Sequence, residues 1–289
     1  MDESKKLYVL LNEIDRGSNV ALSLFFKDIG LDRGILNELS DVKIVLGKAE
    51  NLYETDAYGS YSCLEDMITI DENYLKQIQE CLNNNIDSMD NIKSALETLV
   101  HEKVHALRRI HTPSNIIDMK YDFPTMVRKM RVFEDGEEAN YVLPCDVLLD
   151  GSCNFKDPVS LSERRDMQIF LEEILTEALS KIIVYNYASR DNNLSLGDII
   201  TKSIPRSNSF TFTGGMIFTT LGLDTVKWFL STRSSKEPYH DLIAEGFGKD
   251  YEDLLSILDI LYSTRSNKTV KYLTEKLCNI LISHKSKKR

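Results

Sequence analysis

The stretch from Leu99 to Leu107 contains the pattern His-Glu-x-x-His within apolar residues spaced as in a helix. His101 and His105 are four residues apart, so both imidazoles lie one turn apart on the same helix face and can bind one metal ion. Glu102 lies next to such a metal without being a ligand, where its carboxylate can take a proton from a bound water. The stretch therefore predicts a metal-binding helix, and a helix with two incidental histidines is the alternative.

The chain has 45 acidic against 35 basic residues, a net charge of -10. This balance argues against nucleic-acid binding, because phosphate recognition needs a basic surface. The five cysteines are scattered, without a Cys-x-x-Cys pair, which disfavours both a disulfide framework and a cysteine-rich zinc site.

The first apolar run is too short for a signal peptide, and no stretch approaches the length of a membrane span. We therefore expect a cytoplasmic protein with no membrane partner. Export by a route that leaves no N-terminal signal stays open, and the oligomeric state is not predicted.

The chain divides into three segments by its hydrophobic pattern. Residues 1–111 are expected to form an N-terminal α/β lobe, and residues 112–160 an insertion with a β-hairpin around residues 134–137. The insertion is a candidate lid, specificity wall or partner surface. Residues 161–289 are expected to form a mainly helical C-terminal lobe. The pattern predicts an α+β fold with a small N-terminal mixed sheet.

Within the first lobe, the local signals predict alternating helices and strands. The expected elements are helices over residues 4–40 with turns at Gly17 and Gly30, strands at 42–46 and 57–70, and helices over 71–83 and 90–110.

A catalytic zinc ion needs three protein ligands and an open position for water, so two imidazoles are not enough. The helix expected over residues 160–187 is apolar around most of its circumference and therefore buried. Glu173 and Glu177 lie on it, and a buried carboxylate is costly unless it is paired or binds a metal. Glu173 is thus the first candidate for the third ligand. The alternative is an exposed edge on which Glu177 pairs with Lys181.

His111 is the second candidate for the third ligand. With His101 and His105 it has the spacing of His-Glu-x-x-His-x-x-Gly-x-x-His, a pattern that resembles the metzincins. Met119 follows where their Met-turn would lie. The metzincin glycine, however, is replaced by Arg108, for which the left-handed backbone of the sharp turn is costly. The alternative is that His111 is not a ligand but a polar residue near the C-terminal end of a helix.

The His-Glu-x-x-His stretch, taken together with Glu-x-x-Thr-Glu-Ala at residues 173–178, resembles the gluzincin class of zinc metallopeptidases. This class includes the thermolysin-like enzymes and anthrax lethal factor. The resemblance implies a zincin-like catalytic domain with one Zn²⁺ per chain, held by His101, His105 and Glu173. It also implies that Glu177 orients a ligating imidazole, and that the strand region 57–70 pairs with an extended substrate.

The activity that this resemblance implies is hydrolysis of a peptide or protein substrate. Zinc would lower the pKa of its water toward about 7, and Glu102 would act as general base and then protonate the leaving amine. His240 is the expected donor to the oxyanion, with Tyr239 and Tyr141 as alternatives. Two rival hypotheses stay open: a metal-dependent hydrolase of a non-peptide substrate, and a non-catalytic interaction protein on a zincin scaffold.

Overall fold

The computed structural model shows an α+β fold that is mostly helical, as the sequence predicts at that level. It describes residues 3–49, 58–62, 66–107, 116–122, 127–134, 137–147, 153–155, 161–189, 202–203, 209–231, 239–251, 253–254, 257 and 267–287. The chain forms two compact units, one of Met1–Arg109 with Thr176–Pro205 and the other of Ile110–Leu175 with Arg206–Arg289. The three-segment division at residues 111 and 160 stays a prediction.

Helix α1 (Glu3–Ile29) runs through Gly17 without a break, so the turn expected there is wrong. A Cβ at Gly17 would lie 3.0 Å from Cδ2 of Leu96, on the helix that carries the His-Glu-x-x-His stretch. This glycine therefore permits close packing of two helices. The turn expected at Gly30 is confirmed, since Gly30 follows α1 with a left-handed φ of 69°. A 3₁₀ helix (Arg33–Leu39) comes next.

A small mixed sheet follows in the first unit. Its strands are β1 (Lys43–Gly47), β2 (Gly59–Ser62) and β3 (Met67–Asp71), in the order β1-β3-β2. β1 is parallel to β3, and β2 is antiparallel to it. The strand region expected over residues 57–70 is confirmed in its described residues, where it contains two strands that pair with each other. β2 lies at an edge of this sheet.

Two helices pack beside the sheet. Helix α2 (Glu72–Asn83) begins after Asp71, whose carboxylate accepts a hydrogen bond from the backbone N–H of Tyr74 at 2.9 Å. Helix α3 (Ser88–Leu107) packs against α1, α2 and β2. Its apolar stripe is fully buried at Leu99, Val100, Val104 and Leu107. The packing of this stripe fixes which face of α3 carries the two histidines.

Helix α4 (Leu161–Ala188) carries the second motif. Seven of its apolar side chains are at most 1% exposed: Ile174, Leu175, Ala178, Leu179, Ile182, Ile183 and Val184. The expected buried helix is confirmed over this stretch. Because apolar residues surround them, the acidic residues of α4 lie where an unpaired charge would be costly.

The second unit contains an antiparallel sheet and several helices. Its strands are β4 (Ile116–Asp122), β5 (Val127–Glu134), β6 (Glu137–Val147) and β7 (Cys153–Phe155), in that order. Its further helices are α5 (Ser209–Leu221), α6 (Leu223–Ser231), α7 (Tyr239–Phe247) and α8 (Asn267–Lys287). Among the described residues, no helix combines the length and apolar character that crossing a membrane requires.

Candidate metal centre

The two histidines of α3 point their Nε2 atoms at each other. His101 Nε2 and His105 Nε2 lie 3.0 Å apart, and the ring planes cross at 72°. In a tetrahedral zinc site with Zn–N bonds of about 2.05 Å, two ligand nitrogens lie about 3.3 Å apart. The two imidazoles are therefore already close to the spacing that one shared metal ion imposes.

Glu173 of α4 joins this pair. In the described part of the chain, His101, His105 and Glu173 form a group whose ligand atoms all lie within 4.8 Å of one another. Two imidazole nitrogens and one carboxylate oxygen suit Zn²⁺ and also other divalent first-row metals. These residues could thus hold a metal ion and leave a coordination position open for water. His111, the competing third ligand, lies outside the described residues.

Glu177, one turn after Glu173 on α4, contacts the His101 imidazole at its second nitrogen, Nδ1. Its Oε2 lies 3.2 Å from His101 Nδ1. With the proton on Nδ1 directed at this carboxylate, His101 Nε2 keeps a lone pair on the side that faces His105. This is the tautomer that a metal ligand needs, and a carboxylate in this position also makes the imidazole a stronger donor.

The Glu177 carboxylate is held in its ionised form. Burial by itself raises the pKa of Glu177, but His101 and Lys181 outweigh burial and bring this pKa down to about 2. Glu177 Oε1 lies 3.1 Å from Lys181 Nζ, so the expected pairing along the helix is present together with the contact to His101. The two oxygens of the Glu177 carboxylate therefore lie close to two different nitrogen atoms, one on Lys181 and one on His101.

Lys181 also connects α4 to α3, which sequence reasoning missed. Its Nζ lies 3.1 Å from Oε2 of Glu97, one turn before His101. Burial lowers the pKa of Lys181, yet Glu177 and Glu97 more than compensate and raise it. The available signal was that Glu97 precedes His101 by four residues, just as Glu177 precedes Lys181 by four, so each pair shares a helix face.

Lys103, inside the His-Glu-x-x-His stretch, is 2% exposed. It lies two residues, or about 200°, from each histidine, and therefore on the opposite side of α3. There Nζ donates to Asp15 Oδ1 at 2.5 Å, Ser18 Oγ at 2.7 Å and Asn19 Oδ1 at 2.6 Å, all on α1. Burial lowers the pKa of Lys103, and Asp15 opposes that shift. Lys103 thus anchors α3 on the side opposite the two histidines.

Glu102, the expected general base, is 7% exposed and lies against strand β2. Its exclusion from bulk water strengthens electrostatic interactions at its carboxylate. The expected oxyanion donors are described only by their backbones. His240 and Tyr239 are in the first turn of α7 and Tyr141 is in β6, and their side chains lie outside the described part. Their role stays a prediction.

Comparison with known proteins adds no family. No family model, no curated protein and no solved structure matches this chain. The function is therefore inferred from the geometry of the site itself.

Proposed function

We propose that this chain is a zinc-dependent metallopeptidase whose metal ligands are His101, His105 and Glu173. One observation carries the proposal most. Glu177 Oε2 lies 3.2 Å from His101 Nδ1 while His101 Nε2 lies 3.0 Å from His105 Nε2, an arrangement that suits an imidazole to binding a metal. A pair of histidines that merely shared a helix face would need no partly buried carboxylate beside Nδ1 of one of them.

The chemistry divides between the metal and the chain. When bound, zinc supplies a water of lowered pKa and polarises a carbonyl. Glu102 accepts the proton of the attacking water and delivers it to the leaving amine. Because Glu102 is 7% exposed, bulk water competes little with its carboxylate for that proton. His240 is kept as the proposed donor to the oxyanion.

A peptide substrate is favoured by the position of β2. In the described sheet, β2 pairs with β3 on one side and is an edge strand on the other. An edge strand offers backbone N–H and C=O groups that an extended peptide can satisfy. The same strand touches Glu102 through Gly59, so a peptide added at this edge would lie beside the proposed general base.

The proposal is tested by metal analysis combined with a peptide library. We expect about one zinc ion per purified chain and cleavage of some members of a diverse library read by mass spectrometry. Glu102→Gln should keep the zinc and lose at least about a hundredfold in turnover. Glu72→Gln is the matched control, since the Glu72 side chain on α2 is 46% exposed and pairs with Lys76.

Three outcomes would contradict the proposal in different ways. A protein with far less than one zinc per chain is not a zinc enzyme, and an interaction protein becomes the better hypothesis. Zinc without peptide cleavage indicates a hydrolase of another substrate. Cleavage that survives Glu102→Gln removes Glu102 as general base.

A further inference from the structure

Strand β2 approaches the proposed general base most closely at Gly59. A Cβ placed on Gly59 would lie 3.0 Å from Cγ of Glu102, 3.2 Å from its Oε1, and 3.0 Å from Cγ2 of Thr98. These distances are shorter than ordinary van der Waals contact between carbon atoms, which is about 3.5–4.0 Å. Any side chain at position 59 would therefore press on the Glu102 side chain.

The backbone does not explain why a glycine is present here. The described glycines with positive φ are Gly30, Gly222 and Gly248, and Gly59 is not among them. Its conformation in β2 is one that alanine adopts, and glycine inside a strand is destabilising relative to alanine. The close approach of α3 is the feature that calls for glycine.

Two of the groups around Gly59 are held in place by hydrogen bonds to the backbone. Thr98 Oγ1 donates to the Ser94 carbonyl at 3.1 Å, which fixes the position of its methyl group. The β2 backbone pairs with β3 through Gly59 and Ile70, and the adjoining Tyr58 carbonyl accepts from Asp71 N at 2.9 Å. A new methyl group at position 59 would also press on Cγ and Oε1 of Glu102, and the Glu102 side chain would have to shift by a few tenths of an ångström.

We propose that Gly59 is a positioning residue for Glu102: the bare backbone at this point sets where the carboxylate lies beside the metal centre. This inference rests on the proposed function, because it takes Glu102 as the general base. It adds a residue on a different element of the fold, and no motif in the sequence marks it.

The test compares two alanine substitutions in the same sheet. Gly59→Ala is matched by Gly47→Ala in β1, where a Cβ would lie 3.3 Å from Cγ2 of Thr69 and meets no acidic side chain. Each protein is loaded with one equivalent of zinc, and binding of acetohydroxamic acid is measured by calorimetry. This probe chelates zinc and gives its proton to a neighbouring carboxylate, so its affinity reports the position of Glu102 without a peptide substrate.

We expect Gly59→Ala to weaken acetohydroxamate binding about threefold to tenfold, and to lower kcat for any cleaved peptide about tenfold with little change in KM. Zinc content should stay that of the wild type, and Gly47→Ala should change none of these quantities. In a Glu102→Ala background the effect of Gly59→Ala on probe affinity should disappear, because the two positions act through one group.

Four results would overturn the inference. In the first, Gly59→Ala behaves as Gly47→Ala does. In the second, Gly59→Ala weakens binding of acetohydroxamic acid by the same factor in the wild-type and the Glu102→Ala backgrounds. Restoration of binding by Thr98→Ser would assign the conflict to Thr98, and a Gly59→Ala chain that fails to fold beside a folded Gly47→Ala chain would make the contact purely structural.

If the wild type binds zinc and probe but cleaves no peptide, only the peptidase proposal fails. A wild type that takes up no zinc removes both.

Discussion

At the scale of single residues, we expect Glu177 to determine how tightly His101 binds a metal. Its carboxylate lies 3.2 Å from Nδ1 and is itself kept ionised by His101 and Lys181, which bring its pKa down to about 2. Outer carboxylates of this kind commonly contribute 10–100-fold to metal affinity. Glu177→Gln keeps the shape of the side chain but loses its charge.

We therefore expect Glu177→Gln to weaken zinc binding about 10–100-fold, measured by competition with a chromophoric chelator. Glu72→Gln on α2, where the Glu72 side chain is 46% exposed, is the control and should bind zinc as the wild type does. Unchanged affinity in Glu177→Gln would mean that the contact with His101 does not serve the metal.

The buried Lys103 gives a second prediction at this scale, concerning the free energy of unfolding. Asp15→Ala leaves the cation buried with its main counter-charge removed, whereas Lys103→Met removes the cation itself and fills its space. Breaking a buried pair typically costs about 3–5 kcal/mol, and replacing one by apolar groups far less. Asp15 is 32% exposed, so we expect the low end of that range.

Urea unfolding of the metal-free proteins measures this difference. Asp15→Ala should be less stable than Lys103→Met, and both should remain folded. The reverse order of stability would show that the hydrogen bonds of Lys103, rather than its charge, hold α3 against α1.

At the scale of elements, Tyr74 joins α2 to α3. Its hydroxyl lies 2.7 Å from Ser94 Oγ, and its ring stacks on Tyr58 with centroids 4.2 Å apart. Burial raises the pKa of Tyr74 above the ordinary value of 10.0, although the hydrogen bonds to Ser94 and Thr98 oppose this. The fold therefore favours the neutral phenol over the phenolate.

Because the folded pKa is the higher one, the unfolded chain releases the Tyr74 proton first. The associated stability is fully present below pH about 10 and is lost as the pH rises through the folded pKa. Tyr74→Phe should lower the free energy of unfolding by about 1 kcal/mol at neutral pH. Above pH about 10, its free energy of unfolding should fall less steeply with pH than that of the wild type. Denaturant unfolding at several pH values measures this, with Tyr272→Phe, 65% exposed, as control. Equal pH slopes in wild type and Tyr74→Phe would contradict it.

The elements also show how far the sequence could predict the fold. Helical periodicity placed α3 and α4, and the alternation at residues 67–71 placed β3, because these signals report which side of an element is buried. Gly17 was misread as a turn because a glycine that permits helix packing and a glycine that ends a helix have the same local sequence.

Local sequence patterns predicted the candidate metal centre only in part, for the same reason. Four-residue spacing indicated the histidine pair, and burial of α4 indicated Glu173 and Glu177. The contact of Glu97 with Lys181 and that of Gly59 with Glu102 join different elements. Contacts of that kind depend on packing between elements, which local periodicity does not encode.

At the scale of the whole molecule, the supporting contacts of the candidate centre concentrate in the first unit. Lys103 fixes α3 to α1, β2 lies against Glu102, and Lys181 fixes α4 to α3. Catalytic groups held by several rigid elements need little reorganisation during reaction. Such support is what a metal hydrolase requires of its scaffold, and it is independent of the substrate.

The most direct measurement is the zinc content of purified protein by mass spectrometry, in the wild type, Glu173→Gln and His105→Ala. His284→Ala serves as control, because His284 of the second unit contacts Asp250 at 2.8 Å. We predict about one zinc per chain in the wild type and the control, and a large loss of zinc in the other two. Full zinc content in Glu173→Gln would contradict the three-ligand centre, as would a wild type without zinc.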